Sequence, residues 1–316
     1  MPNPQVGLAR RGSRRDNIYG AMDLVREDLV PKIREQVMLK PNFLSNENQL
    51  ASSHADAMRG AIDFLLSCPE PPAEILIAEG GNEDHSGQCF ENFAYQALVD
   101  EYDLEVQLID LNQETKWETI PIYLADRSEY LVHMPKTVLD CPCTISMAIA
   151  KTHDVCCVTL ALKNMIMGTI RKEDRVKMHG YPAHKERELP TEAQRMNVNL
   201  IRLASYLTPD IAVIDGTVGL QGNGPGGEDA VDLGVAAAGV DVYATDAVMA
   251  KCMGFEPMTL GLLAYANDLG LGVAELEKID VLDTAIEDVA TDFKPHEKNE
   301  QQLQWQDDQA ERYLRV

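Results

Sequence analysis

Short apolar runs separated by helical periodicities constrain this chain more than any other feature of its sequence. Gln36-Val-Met-Leu-Lys40 is an apolar run stopped by Pro41. The stretch from Ser53 to Leu66 then places Ala57, Ala61, Ile62 and Leu65 on one helical face, with Ser53 as the N-cap. The pattern repeats. Glu74 to Ala78 and Glu105 to Leu111 read as strands around a helix from Cys89 to Tyr102. Ser128 to His133, Ile145 to Ala150 and Asp210 to Asp215 read as further strands, and Val158 to Met167, Gln194 to Leu207, Ala244 to Met253 and Met258 to Leu269 as helices. Such alternation predicts an α/β fold, a mostly parallel sheet with helices on both faces. The expected organisation is a single large domain over residues 1–293, in one lobe or two, followed by a peripheral C-terminal helix or tail over 294–316. Arg171 to Pro190, rich in charge, His and Pro, reads as an irregular loop.

Charge narrows the partners. Lys and Arg total 28 against 51 Asp and Glu, a net charge of −23, so most of the surface repels phosphate backbones and nucleic acid is not an expected partner. A small anionic molecule remains an expected partner if a few cations are gathered in one cleft. No apolar run approaches the roughly 20 residues of a membrane span. Arg10-Arg11 and Arg14-Arg15 are followed by Asp16-Asn-Ile-Tyr19 rather than by the apolar core of an export signal. The expectation is a cytoplasmic protein with no membrane partner. Seven cysteines, an odd number, fit free thiols in a reducing compartment better than a disulfide framework.

The densest chemistry lies in Ser146-Met-Ala-Ile-Ala-Lys-Thr-His153 and Val158-Thr-Leu-Ala-Leu-Lys-Asn-Met165. On a strand, Lys151 and His153 project from the same face, near the carboxyl end where open α/β sheets bind ligands. Lys163 and Asn164 interrupt an apolar helical run, where a buried ammonium calls for an anionic partner. Lys40 ends a strand at the same edge, and Asn42 offers an amide to a ligand or to its own loop. The glycine-rich stretch after Asp215, including Gly222 and Gly224, offers backbone amides for a phosphate or forms a wide turn; it lacks the Gly-Lys-Ser/Thr ending of a P-loop. Asp215 ends a strand, and Asp246 precedes an apolar helix as a ligand carboxylate or an ordinary cap.

Val37-Met-Leu-Lys-Pro-Asn42, Ile75-Leu-Ile-Ala-Glu-Gly80, Lys151-Thr-His153, Thr159-Leu-Ala-Leu-Lys-Asn164, Ile214-Asp-Gly216, Gly222-Asn-Gly-Pro225 and Asp246-Ala-Val-Met-Ala250 together resemble the domain of unknown function 362 family. The resemblance implies an α/β protein associated with iron–sulfur proteins. Many members carry spaced Cys-x-x-Cys runs. Here Cys141-Pro-Cys143, Cys156-Cys157, Cys68, Cys89 and Cys252 do not follow that spacing, which argues against an iron–sulfur cluster within the chain. The order and spacing of His153, Lys163 and His179, with His85 upstream, are also similar to the lactate racemase family. That similarity implies His85 and His153 as acid and base, Lys163 as the tether of a nickel cofactor and His179 as a metal ligand. The glycine-rich approach to the tether lysine is replaced by Thr159-Leu-Ala-Leu162, and His85 lies in a polar, acidic loop.

Two function classes follow. One is an enzyme binding a small anionic or carbonyl substrate in a Lys/His-lined cleft, with isomerase-like or redox chemistry, in which Lys40, Lys151 and Lys163 hold negative charge and His153 moves a proton. The other is a non-enzymatic cofactor- or metal-binding protein that partners an iron–sulfur or redox protein. The sequence leaves open whether a divalent metal or a lysine-tethered cofactor is bound.

Overall fold

The computed structural model of the chain describes residues 2–84 and 87–314. Its strands are β1 (Gln5–Ala9), β2 (Gln36–Lys40), β3 (Glu74–Glu79), β4 (Glu105–Asp110), β5 (Trp117–Tyr123), β6 (Glu129–Pro135), β7 (Thr144–His153), β8 (Cys157–Thr159), β9 (Ile211–Leu220), β10 (Ala230–Val231), β11 (Val235–Gly239) and β12 (Asp280–Asp283). Ten of them form one sheet whose main path runs β12-β1-β11-β9-β7-β2-β3-β4, with β10 beside β9 and β8 beside β7. The run β9-β7-β2-β3-β4 is parallel throughout, and β11 is antiparallel to both its neighbours. β5 and β6 pair separately as an antiparallel hairpin.

Side-chain alternation divides the core into two layers. Val37, Leu39, Ile75, Ile77, Ile145 and Met147 face a layer that includes residues of helices α1 (Arg14–Leu24) and α2 (Ala55–Leu66). Met38, Leu76, Ala78, Ala148 and Ala150 face the opposite layer. There lie α3 (Ala161–Met167), α5 (Thr191–Ala204), α6 (Val242–Cys252), α7 (Gly261–Asp268) and the hairpin; α4 (Arg175–Met178) sits between α3 and α5 in the chain. Because β7 carries helices on both faces, all ten of its residues are buried. The predicted α/β sheet with helices on both faces is what the chain forms.

Boundaries differ where tertiary contacts decide them. The N-cap of α2 is His54, whose ring accepts from the Asp56 amide, while the Ser53 hydroxyl donates to the Met147 carbonyl at 2.9 Å. The helix expected from Cys89 to Tyr102 is two short ones, Gln88–Asn92 and Gln96–Glu101, separated around Ala94, which has φ +60°. Val158 and Thr159 are strand rather than helix, because β8 folds back on β7 with Lys151 opposite Thr159. The segment from Lys294 is anchored rather than frayed: Gln302 donates to the His153 carbonyl at 2.7 Å and the Trp305 indole to Thr259 at 2.7 Å. Among the described residues no helix is long and apolar enough to cross a membrane.

Close packing of α1 against α2 requires Gly60. A Cβ there would stand 2.5 Å from the Arg15 carbonyl oxygen and 2.8 Å from the Ile18 Cβ. Gly60→Ala is therefore expected to destabilise the fold by about 1–3 kcal/mol, the usual cost of overpacking, despite alanine's better helix propensity. The shift of the urea unfolding midpoint measures it, and an unchanged or raised midpoint would refute this account of the helix contact.

Candidate functional site

The parallel strands β2, β3 and β7 end at one edge of the sheet. Lys40 is the last residue of β2 and Glu79 the last of β3; both are fully or almost fully buried and form an ion pair. Lys40 Nζ also donates to the Pro41 carbonyl at 2.7 Å and to Asn164 Oδ1 at 3.0 Å. With three acceptors around it, the ammonium has no donor left for a ligand. The role expected for Lys40, binding an external anion, is taken by Glu79. Burial pulls the Lys40 pKa down and pushes the Glu79 pKa up, and their mutual attraction opposes both shifts.

Asn164, in the first turn of α3, ties this pair to its neighbours. Its Nδ2 donates to the Lys40 carbonyl at 3.2 Å and to Ser146 Oγ at 3.0 Å, while its Oδ1 also accepts from Asn42 Nδ2 at 3.0 Å. Asn42 Oδ1 in turn accepts from Lys151 Nζ at 2.6 Å, and Lys151 donates further to Ala51. Asn164 thus braces the site rather than facing a ligand.

Above this floor opens a cavity of about 460 Å³, lined among others by Lys151, His153, Lys163, Arg175, His179 and Arg187. Lys163 Nζ lies 2.9 Å from His153 Nε2. His153 Nδ1 accepts from the Val155 and Cys156 amides at 3.0 and 3.4 Å and also lies 3.1 Å from Asp154 Oδ1, so Nε2 is the ring nitrogen left to Lys163. Across this contact one of the two groups, the Lys163 amine or the His153 ring, donates to the other. Burial lowers the pKa of Lys163, and burial reinforced by the charge of Lys163 lowers that of His153 well below the usual range. Burial, then the nearby Lys163, lowers Lys151 likewise.

His179 lies at the end of α4, its Nδ1 2.5 Å from Glu192 Oε1. Arg187 bridges Glu192 to Asp154, reaching Asp154 Oδ2 at 2.6 Å. The carboxylate fixes the His179 tautomer and leaves its other nitrogen for the cleft. Burial still lowers the His179 pKa, with Glu192 opposing.

Other expected site residues lie elsewhere. Asp215 pairs with Arg14 at 2.5 Å and lines a separate pocket with His54 and Ile149. Asp246 accepts from the Ala161 and Leu162 amides at 2.7 and 3.2 Å, so it caps α3, and burial raises its pKa to about 7. The Gly222 amide donates to Lys294 and that of Gly224 to Gly222, so neither is available to cradle a phosphate. Gly224 instead packs on the Thr152 backbone, where a Cβ would meet the carbonyl oxygen at 2.1 Å. His85 lies outside the described residues. Among the described residues no three His, Cys, Asp or Glu side chains converge as a metal site. Cys141 and Cys143 precede the ten-residue strand β7 and Cys156 and Cys157 follow it, so they stand roughly 30 Å apart along the strand and do not share an ion. Glu79, Arg175, Glu192 and Arg187 were not singled out from the sequence; Glu79 alone carried a signal, its place at a strand end beside Gly80.

A family model described as Domain of unknown function (DUF362) matches residues 37–251. The Thylakoid-associated protein sll1697 of Synechocystis is 26% identical over 255 residues, covering 77% of this chain and 70% of that protein. Among solved structures, the lactate racemase apoprotein from Thermoanaerobacterium thermosaccharolyticum aligns with a TM-score of 0.48 and 12% identity, over 76% of this chain and 54% of that one. The chain thus spans about half the length of that structure.

Removing one member of the buried pair strands the other's charge. Lys40→Met is expected to cost about 3–5 kcal/mol, and Lys40→Met combined with Glu79→Leu much less than the sum of the single changes. A double-mutant cycle by urea denaturation measures this, and additive costs would show that the two groups do not act as a pair.

Proposed function

We propose that this chain, which belongs to the family described as Domain of unknown function (DUF362), is an enzyme that moves a proton on a small anionic molecule carrying a carbonyl or hydroxyl group. The observation that carries this reading is the buried contact between Lys163 and His153 at a cleft wide enough for a small metabolite. An amine and an imidazole that burial pushes toward their neutral forms, at hydrogen-bond distance from each other, can accept and relay a proton. His179, oriented by Glu192, supplies a second imidazole to the same cleft. Two such groups suit isomerisation or redox chemistry at a carbon bearing hydroxyl and carboxylate groups, where one accepts a proton and the other returns it. The Thr159 hydroxyl, buried and without a hydrogen-bond partner among the described residues, also lines the cleft and is available to a substrate oxygen.

The same groups fit the lysine-tethered nickel cofactor that the sequence resemblance implies. Lys163 has the free amine for attachment and His179 the carboxylate-backed imidazole typical of a metal ligand. Such a group, when bound, supplies an electron acceptor beside the substrate carbon. With or without it, His153 handles the proton and the cationic lining holds the substrate's charge.

The test is hydrogen exchange at the α-carbon of small 2-hydroxy and 2-oxo acids in D₂O, followed by NMR with protein purified from its own host. His153→Asn and Lys163→Met are each expected to lower the exchange rate by about 10²–10⁴-fold. His153 has to be neutral to accept a proton, and burial depresses its pKa, so the rate should persist below pH ~6.5 and fall only at lower pH. Exchange insensitive to both substitutions removes the enzyme reading. Intact mass and metal analysis of the same sample decide the tethered cofactor.

A further inference from the structure

Arg175 is a buried cation with no carboxylate in direct contact among the described residues, while Glu79, Glu173 and Asp110 act on it from further away. It opens α4, lines the cleft and is only 7% exposed. Its Nε donates to the Ile170 carbonyl at 3.1 Å and its Nη2 to Asn112 Oδ1 at 3.5 Å, both neutral acceptors. Among the described residues no carboxylate comes within 4.0 Å of its guanidinium, and Nη1 makes no hydrogen bond. Guanidinium groups keep their charge even when burial opposes it, so a buried, unpaired arginine is costly unless an anion completes it.

The other cations at this edge are committed. Lys40 is held by Glu79, Arg187 by Asp154 and Glu192, Lys151 donates to Asn42 and Ala51, Lys163 lies against His153, and Lys172 donates to the Asp84 carbonyl at 2.9 Å. The backbone also makes room for Arg175. A Cβ on Gly80 would stand 2.6 Å from its Nη2 and 2.9 Å from the Gly168 carbonyl oxygen, so only glycine lets the guanidinium lie against the end of β3.

We propose that Arg175 is the anion-recognition residue of the cleft and that it selects a carboxylate on the substrate. A guanidinium presents a planar set of donors that matches a carboxylate. A phosphate site built on backbone amides is not offered here, because the Gly222 and Gly224 amides are bonded within the chain. Arg175 also stands on the segment that carries His179, four residues further on, so binding a carboxylate at Arg175 positions the rest of a small molecule within the cleft that His153, Lys163 and His179 line.

This inference rests on the enzyme reading for its choice of substrate, but its test reads binding alone. Isothermal titration of the full chain is carried out with glycolate, pyruvate and malonate, with their amides, and with inorganic phosphate. At least one carboxylate is expected to bind, and its amide to bind about tenfold or more weakly, the loss typical of a charge-assisted hydrogen bond. Arg175→Gln should bring the carboxylate down to the level of its amide, and Arg175→Lys, which keeps the charge and loses the planar fork, should fall between. If Arg175→Gln does not fold, as judged by circular dichroism, Arg175→Lys and the carboxylate–amide comparison on the unaltered chain decide. The proposal is overturned if no carboxylate binds, if amides bind equally well, if phosphate binds more tightly than every carboxylate, or if both variants leave carboxylate affinity unchanged. Carboxylate binding through Arg175 without α-carbon exchange would leave this inference standing and remove the enzyme reading; exchange with unaltered affinity in both variants would do the reverse.

Discussion

Lys40 and Glu79 stand at the ends of adjacent parallel strands with their charged groups in contact and out of water, and the polar groups around them take their positions from that pair. Two charges are expensive to desolvate, and the cost is recovered only when every remaining donor and acceptor is engaged. Lys40 meets that condition through Pro41 and Asn164. Asn164 is thereby fixed on β2, and because it is adjacent to Lys163 in α3, the reactive amine is fixed too. Asn42 extends the same set of bonds to Lys151. A change in the buried pair therefore reaches the cleft through hydrogen bonds, with no need for a movement of the sheet.

Charge has opposite meanings at the surface and in the cleft. A chain of net charge −23 repels small anions from most directions, yet its cleft is lined by Lys151, Lys163, Lys172, Arg175 and Arg187. Burial decides what each contributes. It pushes the lysines toward their neutral forms, Lys163 beside His153 among them. Arginine resists that conversion, so charge recognition passes from the lysines to Arg175.

The fold was legible because it rests on local periodicity: each run on the path from β2 to β9 shows the apolar content that burial on both faces demands. That Lys151 and His153 line the cleft was legible by the rule that open α/β sheets bind ligands at the carboxyl edge, and that Lys163 does so by its place in an apolar helical run. What was hidden depends on which strand end meets which. Asp215, expected to end a strand, lies in the middle of β9, where it meets Arg14 from α1 and belongs to another pocket. The Gly222 amide looked free in the sequence because its partner, the Lys294 carbonyl, lies in the segment that reads as a loose tail. Arg175 and the partners of His179 were hidden for a related reason, since the stretch from 171 to 190 has no periodicity and acquires its order from α5 and from Asp154.

The precision of the His153–Lys163 contact comes from parts of the chain far from it in sequence. Asp246 on α6 accepts the first free amides of α3 and so sets where that helix, and Lys163 with it, begins. Gln302 holds the His153 carbonyl from the C-terminal segment, while the turn into β8 donates two amides to the ring. The imidazole is thus constrained at its backbone and at Nδ1, and only Nε2 is left to the cleft side. His153 and Lys163 are each only 5% exposed, so the dipoles around their contact are mostly those of the chain, already oriented by its hydrogen bonds. An arrangement that a single helix or loop held would fluctuate with that element. Here β7, α3, α6 and the C-terminal segment have to shift together before the contact loosens.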